Sequence, residues 1–157
     1  MKMKKVIVFF IVIFLVIGCK EENVTEDTVE TPIKMVCSMS ALGENKVIFE
    51  YLHEKLISYQ FNYAVKVNSE RDIQDWTKEW KYSLDILKGI KGINVIWGIN
   101  NDRTEMSSEI TASIQEINIE DIPAEDDGEL YDLVYKKDVF NWEEIKEKYE
   151  SWGFSCQ

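Results

Sequence analysis

Leu56-Ile57-Ser58-Tyr59-Gln60-Phe61-Asn62-Tyr63-Ala64-Val65-Lys66-Val67 is the clearest period-two stretch of this chain. Ile57, Tyr59, Phe61, Tyr63, Val65 and Val67 fall on one side, with Ser58, Gln60, Asn62 and Lys66 between them. Successive side chains of a strand point to opposite faces, so the pattern predicts one buried face and one wet face. Upstream, His53-Glu54-Lys55 separates this stretch from the apolar residues 47–52, which predicts a hairpin. Residues 33–39 alternate as well, Ile33, Met35, Cys37 and Met39 against Lys34, Val36 and Ser38, with Gly43-Glu44-Asn45 as turn chemistry between.

Downstream the period changes. Ser69 with Asp72 three residues on is a weak capping box, and Ile73, Trp76, Trp80, Leu84 and Leu87 then form one stripe of an amphipathic helix. Gly89 stands where a C-terminal glycine cap belongs. Residues 93–99 and 104–114 flank Asn100-Asn101-Asp102 as a second strand pair, with Met106, Ile110, Ala112 and Ile114 on one face. The parity shifts at Ile117 and Ile119, which predicts a bulge or strand end near Glu116. Residues 120–129 read as an acidic loop, and 130–135 fit neither period clearly. Asn141 and Glu144 form a capping pair, Trp142, Ile145, Tyr149 and Trp152 mark the inner side of a last helix, and Gly153 ends it. An α+β fold satisfies both periods: an antiparallel sheet of about five strands, one long helix packed on a face, and a shorter C-terminal helix.

The chain has 157 residues, enough for one ordinary domain and a targeting segment. Lys2, Lys4 and Lys5 precede twelve unbroken apolar residues, 6–17, then Gly18 and Cys19. Spanning a bilayer takes roughly 20 apolar residues, so this run fits a signal-peptide h-region. Leu15-Val16-Ile17-Gly18-Cys19 resembles the bacterial lipobox, in which a small residue precedes a Cys that receives a diacylglyceryl group. The alternative is an uncleaved anchor helix with an incidental Cys. The expected organisation is a lipoprotein signal peptide at 1–18, lipidated Cys19 with an acidic tether to 32, and one globular domain at 33–157. The expected location is the extracytoplasmic face of the cell membrane, where two acyl chains hold stably and one holds only marginally. Formal net charge is −11, and phosphate backbones repel so acidic a chain, so nucleic acid is excluded as a partner.

With Cys19 lipidated, Cys37 and Cys156 remain, in a compartment where disulfides persist. They form one disulfide or stay as two buried thiols. A metal site would need more ligands than these and the single His53 give. The lipobox, the paired strands over 47–67, the long helix, Lys88-Gly89-Ile90-Lys91-Gly92-Ile93 and the ending Tyr149-Glu150-Ser151-Trp152-Gly153-Phe154-Ser155-Cys156 resemble the YehR-like family of small bacterial lipoproteins, a domain of unknown function. The resemblance covers most of the mature chain and implies fold and location. The ending is similar to that of Gram-positive lipoproteins with an early Cys partner.

No catalytic residue, metal or cofactor is expected. His53 lies in a turn, where an exposed role outweighs a catalytic one. Glu125-Asp126-Asp127-Gly128-Glu129 lacks the ligand spacing of an EF-hand and reads as a solvated loop. Trp76, Trp80 and Trp97 read as core. Trp142 and Trp152, at the ends of the last helix, are candidates for stacking on cell-wall sugars. The candidate binding residues are therefore Gln60 and Asn62 on the wet sheet face, with Trp142 or Trp152 at its rim. Two function classes follow: a non-catalytic module for an unidentified envelope protein or ligand, and a cell-envelope hydrolase using paired carboxylates.

Overall fold

The structure is a computed structural model that describes residues 30–40, 43–123 and 128–157. The signal segment, Cys19 and most of the tether lie outside the described residues, as do Glu125, Asp126 and Asp127 of the acidic run. No described helix is long and apolar enough to cross a membrane.

Among the described residues, six strands build one antiparallel sheet: β1 (Ile33–Met39), β2 (Glu44–Leu52), β3 (Lys55–Lys66), β4 (Ile93–Ile99), β5 (Glu105–Ser113) and β6 (Ser155–Cys156), in the order β4-β5-β3-β2-β1-β6. The helices are α1 (Glu70–Leu87), α2 (Glu129–Tyr135) and α3 (Trp142–Ser151), with two short 3-10 turns at Ile114–Glu116 and Ile119–Asp121. The α+β class stands, with one strand more than expected. β6 has two residues, too few for any alternation to announce it.

One side of the sheet carries the whole core. Phe49 lies at its centre, 5.5 Å from Tyr59, 6.0 Å from Phe140 and 5.4 Å from Tyr149 between ring centroids. Toward the other end of β3, Val65, Val67, Ile73 and Met106 form a second buried cluster. Trp76 and Trp80 of α1 close it from outside, packing on Tyr63 at 6.3 and 5.3 Å. The stripe thus meets the expected face, although only Ile73 and Leu84 are fully buried and both Trp residues stay partly exposed. Ser69 Oγ accepts the Asp72 N–H, and Asp72 Oδ2 accepts the Asn68 N–H, a reciprocal cap at the start of α1.

Two local expectations need correction, and a third is narrowed to one of its two alternatives. A bulge between Glu50 and Tyr51 pairs Tyr51 with Leu56 and Glu50 with Ser58, leaving Ile57 as the extra residue. Leu56, fully buried, therefore takes the core place that period two assigns to Ile57. Gly89 is not the left-handed cap; α1 ends through the Gly89 N–H to the Ile86 carbonyl, and the positive φ falls on Gly92. The parity shift near Glu116 is a strand end, made by the first 3-10 turn.

The C-terminus follows local rules closely. Asn141 Oδ1 accepts the N–H groups of Glu143 and Glu144. At the other end of α3 Gly153 has φ 92°, its N–H bonds the Glu150 carbonyl, and the Phe154 N–H bonds the Tyr149 carbonyl. This is a Schellman motif, and its usual apolar contact is present as Phe154 on Tyr149 at 5.1 Å. The reversal aims the chain back along β1, where Cys156 lies opposite Cys37 and the two are disulfide-bonded.

Candidate functional site

Because α1 and α3 both pack on the Phe49 side, the other face of the sheet is left open among the described residues. The register lays its side chains in rows across the strands. Lys34, Glu50, Ser58 and Ser113 form one row; Val36, Ile48, Gln60, Thr111 and Asn94 the next. Ser38, Lys46, Asn62, Glu109 and Ile96 form the third.

Hydrogen bonds tie these side chains together both within a row and between rows. Lys34 Nζ reaches Glu50 Oε1 at 2.6 Å, and Ser58 Oγ donates to Glu50 Oε2 at 2.9 Å. The Lys34 ammonium, then the Ser58 hydroxyl, hold the Glu50 carboxyl below the usual carboxylate range. Gln60 Nε2 donates to Glu109 Oε1 at 3.2 Å and to Asn62 Oδ1 at 3.4 Å. Gln60 and Asn62, singled out from the alternation, are thus neighbours on a rigid strand and share one network.

A fourth row, Glu44, Ala64, Ser107 and Gly98, is made of small side chains over its inner positions. It leaves a concavity of about 470 Å³, lined by Lys46, Asn62, Ile96, Ser107 and Glu109 among others. A Cβ placed on Gly98 would meet nothing within 4 Å. The sequence reading missed this row, because small residues on different strands line up only once the register is known.

Trp142 and Trp152 do not join this face. They stand at the two ends of α3, Trp142 as its first residue and Trp152 as its C-cap, on the helical side, where they are 40% and 51% exposed. Their exposure was expected at the helix ends; their assignment to its inner side is corrected, since Ile145 and Tyr149 alone fill that role. Lys148 Nζ lies 5.0 Å from the Trp152 ring centre, a cation–π contact. His53 is exposed in the β2–β3 turn with φ 55° and lies 3.4 Å from Glu30. No described cluster of three or more His, Cys, Asp or Glu could hold a metal ion.

Glu129 corrects the acidic-loop reading. It begins α2 and turns inward, where its carboxylate accepts the Tyr149 hydroxyl and, at 3.4 Å, the Tyr59 hydroxyl. Burial pushes this carboxyl above the usual range, the two hydroxyls and Lys148 pull it back, and Asp132 adds to the rise. The same surroundings push the Tyr149 hydroxyl far up, so it stays protonated and donates.

A carboxyl whose folded-state value is raised holds its proton longer when folded than when unfolded. Its contribution to stability therefore falls as pH rises from the ordinary carboxylate value through the folded one. Glu129→Gln keeps an acceptor without the charge. The variant's melting temperature should gain on that of the unchanged protein as pH rises from about 4 to 7. A difference constant across that range would show that Glu129 titrates normally.

No protein-family model matches this chain, and no curated protein does. Among solved structures, the chain resembles the YehR protein of E. coli with a TM-score of 0.59, at 14% identity over 82% of this chain and 92% of that one. It also resembles a protein from Streptococcus pneumoniae TIGR4 with a TM-score of 0.57, at 9% identity over 82% and 87% of the two chains. At these identities the likeness is one of fold, and a YehR-like fold is what this chain has.

Proposed function

We propose that this chain is an extracytoplasmic lipoprotein, anchored by a diacylglyceryl group on Cys19, whose domain binds an envelope protein or ligand without catalysis. The observation that supports a binding role is the open sheet face, with the Gln60–Asn62–Glu109 network beside the concavity. Rigid strands there present amides, hydroxyls and charges of both signs, which suits recognition of a polar partner. The hydrolase alternative asks for two carboxyls sharing one pocket. Two carboxyls, Glu44 and Glu109, do line the concavity, but Glu109 is held there by Gln60, and the buried Glu129 instead faces two tyrosine hydroxyls. Stacking on glycans through Trp142 and Trp152 would use the helical side and be independent of Gln60.

The test is capture from envelope extracts by the full chain. Gln60→Ala with Asn62→Ala should leave folding intact and abolish retention of the partner that the unchanged chain retains. Cys19→Ala should remove the chain from the membrane fraction without altering capture. Equal retention by the double variant would remove this face from consideration, and a Cys19→Ala chain that is processed yet stays with the membrane would remove the anchor.

A further inference from the structure

We propose that two copies of this chain join edge to edge through β4, which pairs antiparallel with itself about Ile96. β4 is an outer strand of the sheet. Across the β4–β5 pair the Asn100 N–H bonds the Glu105 carbonyl, and the Ser113 N–H bonds the Gly92 carbonyl. Hydrogen-bonded pairs alternate along an antiparallel ladder, so Asn94, Ile96 and Gly98 also turn their backbone groups toward β5. Val95, Trp97 and Ile99 direct theirs outward, and no described backbone group receives them.

Natural sheets blunt such edges with Lys, Pro, bulges or very short strands. The opposite margin of this sheet is blunted in that way, by a two-residue β6 held by a disulfide. β4, Ile93-Asn94-Val95-Ile96-Trp97-Gly98-Ile99, carries no charge, no Pro and no break in register. Its one large side chain on the open face, Ile96, is 61% exposed.

The strand is built to meet a second copy of itself. Ile96 is its midpoint, so pairing about Ile96 is the register that matches all seven residues with seven. Val95 then exchanges hydrogen bonds with Trp97 of the second copy, twice by symmetry. Ile96 meets Ile96 of the second copy at a close, non-hydrogen-bonded position, where Cα atoms approach to about 4.5 Å. Asn94 comes opposite Gly98, the position with free space for it. Beyond the strand ends, the same register brings exposed Lys91 of one copy beside exposed Asp102 of the other, where the adjacent Arg103 is already paired with Glu70, so charge is complementary at both ends. The two polar faces become continuous, and Asn94 of each copy closes the outer side of the other's concavity.

The test is a cross-link in the full chain. Ile96→Cys should give a reducible covalent dimer on electrophoresis, since a disulfide needs Cα atoms about 4.4–6.8 Å apart. Asn94→Cys should behave like the unchanged chain, because the two copies of residue 94 lie four residues out of register. Ile96→Lys, which sets like charges opposite each other, should weaken self-association by about tenfold in sedimentation equilibrium with the fold intact by circular dichroism. The proposal is overturned if the unchanged chain sediments as a monomer up to about 100 μM, a load near Kd values of weak specific pairs. It is equally overturned if Ile96→Cys cross-links no more than Asn94→Cys, or if Ile96→Cys cross-links only to a different protein.

Discussion

Opening the Cys37–Cys156 bond, by reduction or by Cys37→Ala with Cys156→Ala, is expected to lower the melting temperature by roughly 10 °C. The bond joins residues 119 apart in sequence. A cross-link over so long a loop removes much of the unfolded chain's freedom, and such bonds typically contribute ~2–4 kcal/mol. Each kcal/mol is about 4 °C for a domain of this size. Both residues are buried, so the reduced thiols would keep most of their packing and the loss would come from releasing the ring. Scanning calorimetry with and without reductant measures it. Labelling of both thiols in the native, unreduced protein would mean that the bond does not form.

Phe49→Ala should be the most damaging single substitution in the core, at ~3–5 kcal/mol. Phe49 is 0% exposed and touches rings contributed by β3, by α3 and by the segment between α2 and α3. Truncating it leaves a cavity that three independently anchored elements cannot close together. Most domains have only ~5–15 kcal/mol in total, so the urea midpoint should move by a large fraction of its value. Trp80→Ala is the informative contrast. The helical stripe alone suggests an equal cost, but Trp80 is partly exposed at the margin of the smaller cluster, and its truncation should cost clearly less. Equal losses for the two variants would mean that α1 is held as firmly as the centre.

What the sequence announces here is whatever a local pattern can encode. The alternation through Tyr59, Phe61, Tyr63 and Val65, the Ser69 cap and the Asn141 cap with Gly153 all act within a few residues, and the structure keeps each of them. β1 and β4 keep their expected limits for the same reason. Failures occur where a distant partner decides. Ile57 loses its core place to Leu56 because β3 carries one extra residue against β2, and only the pairing between the two strands reveals it. Glu129 looks like one more acid in an acidic run until Tyr59 and Tyr149 are brought over it from elements 70 and 20 residues away. The candidate face divides in the same way. Gln60 and Asn62 were legible as wet positions, whereas the row of Ala64, Ser107 and Gly98 exists only through pairing between strands. Trp142 and Trp152 were legible as exposed, but composition does not say on which side of a sheet a helix will lie.

The reversal at Gly153 has a mechanical consequence. It lays the end of the chain against β1, where Val36 and Gln157 bond each other in both directions at 2.9 Å, next to the Cys37–Cys156 link. A pull applied between Ile33 and Gln157 therefore runs through a few residues of β1, the sulfur atoms and Cys156. Strands β2 to β5 and all three helices bear none of that tension. While the bond is closed, the 119-residue separation it spans, on the order of 40 nm of contour length, is withheld from extension. Reduction would release that length and place the load on the sheet.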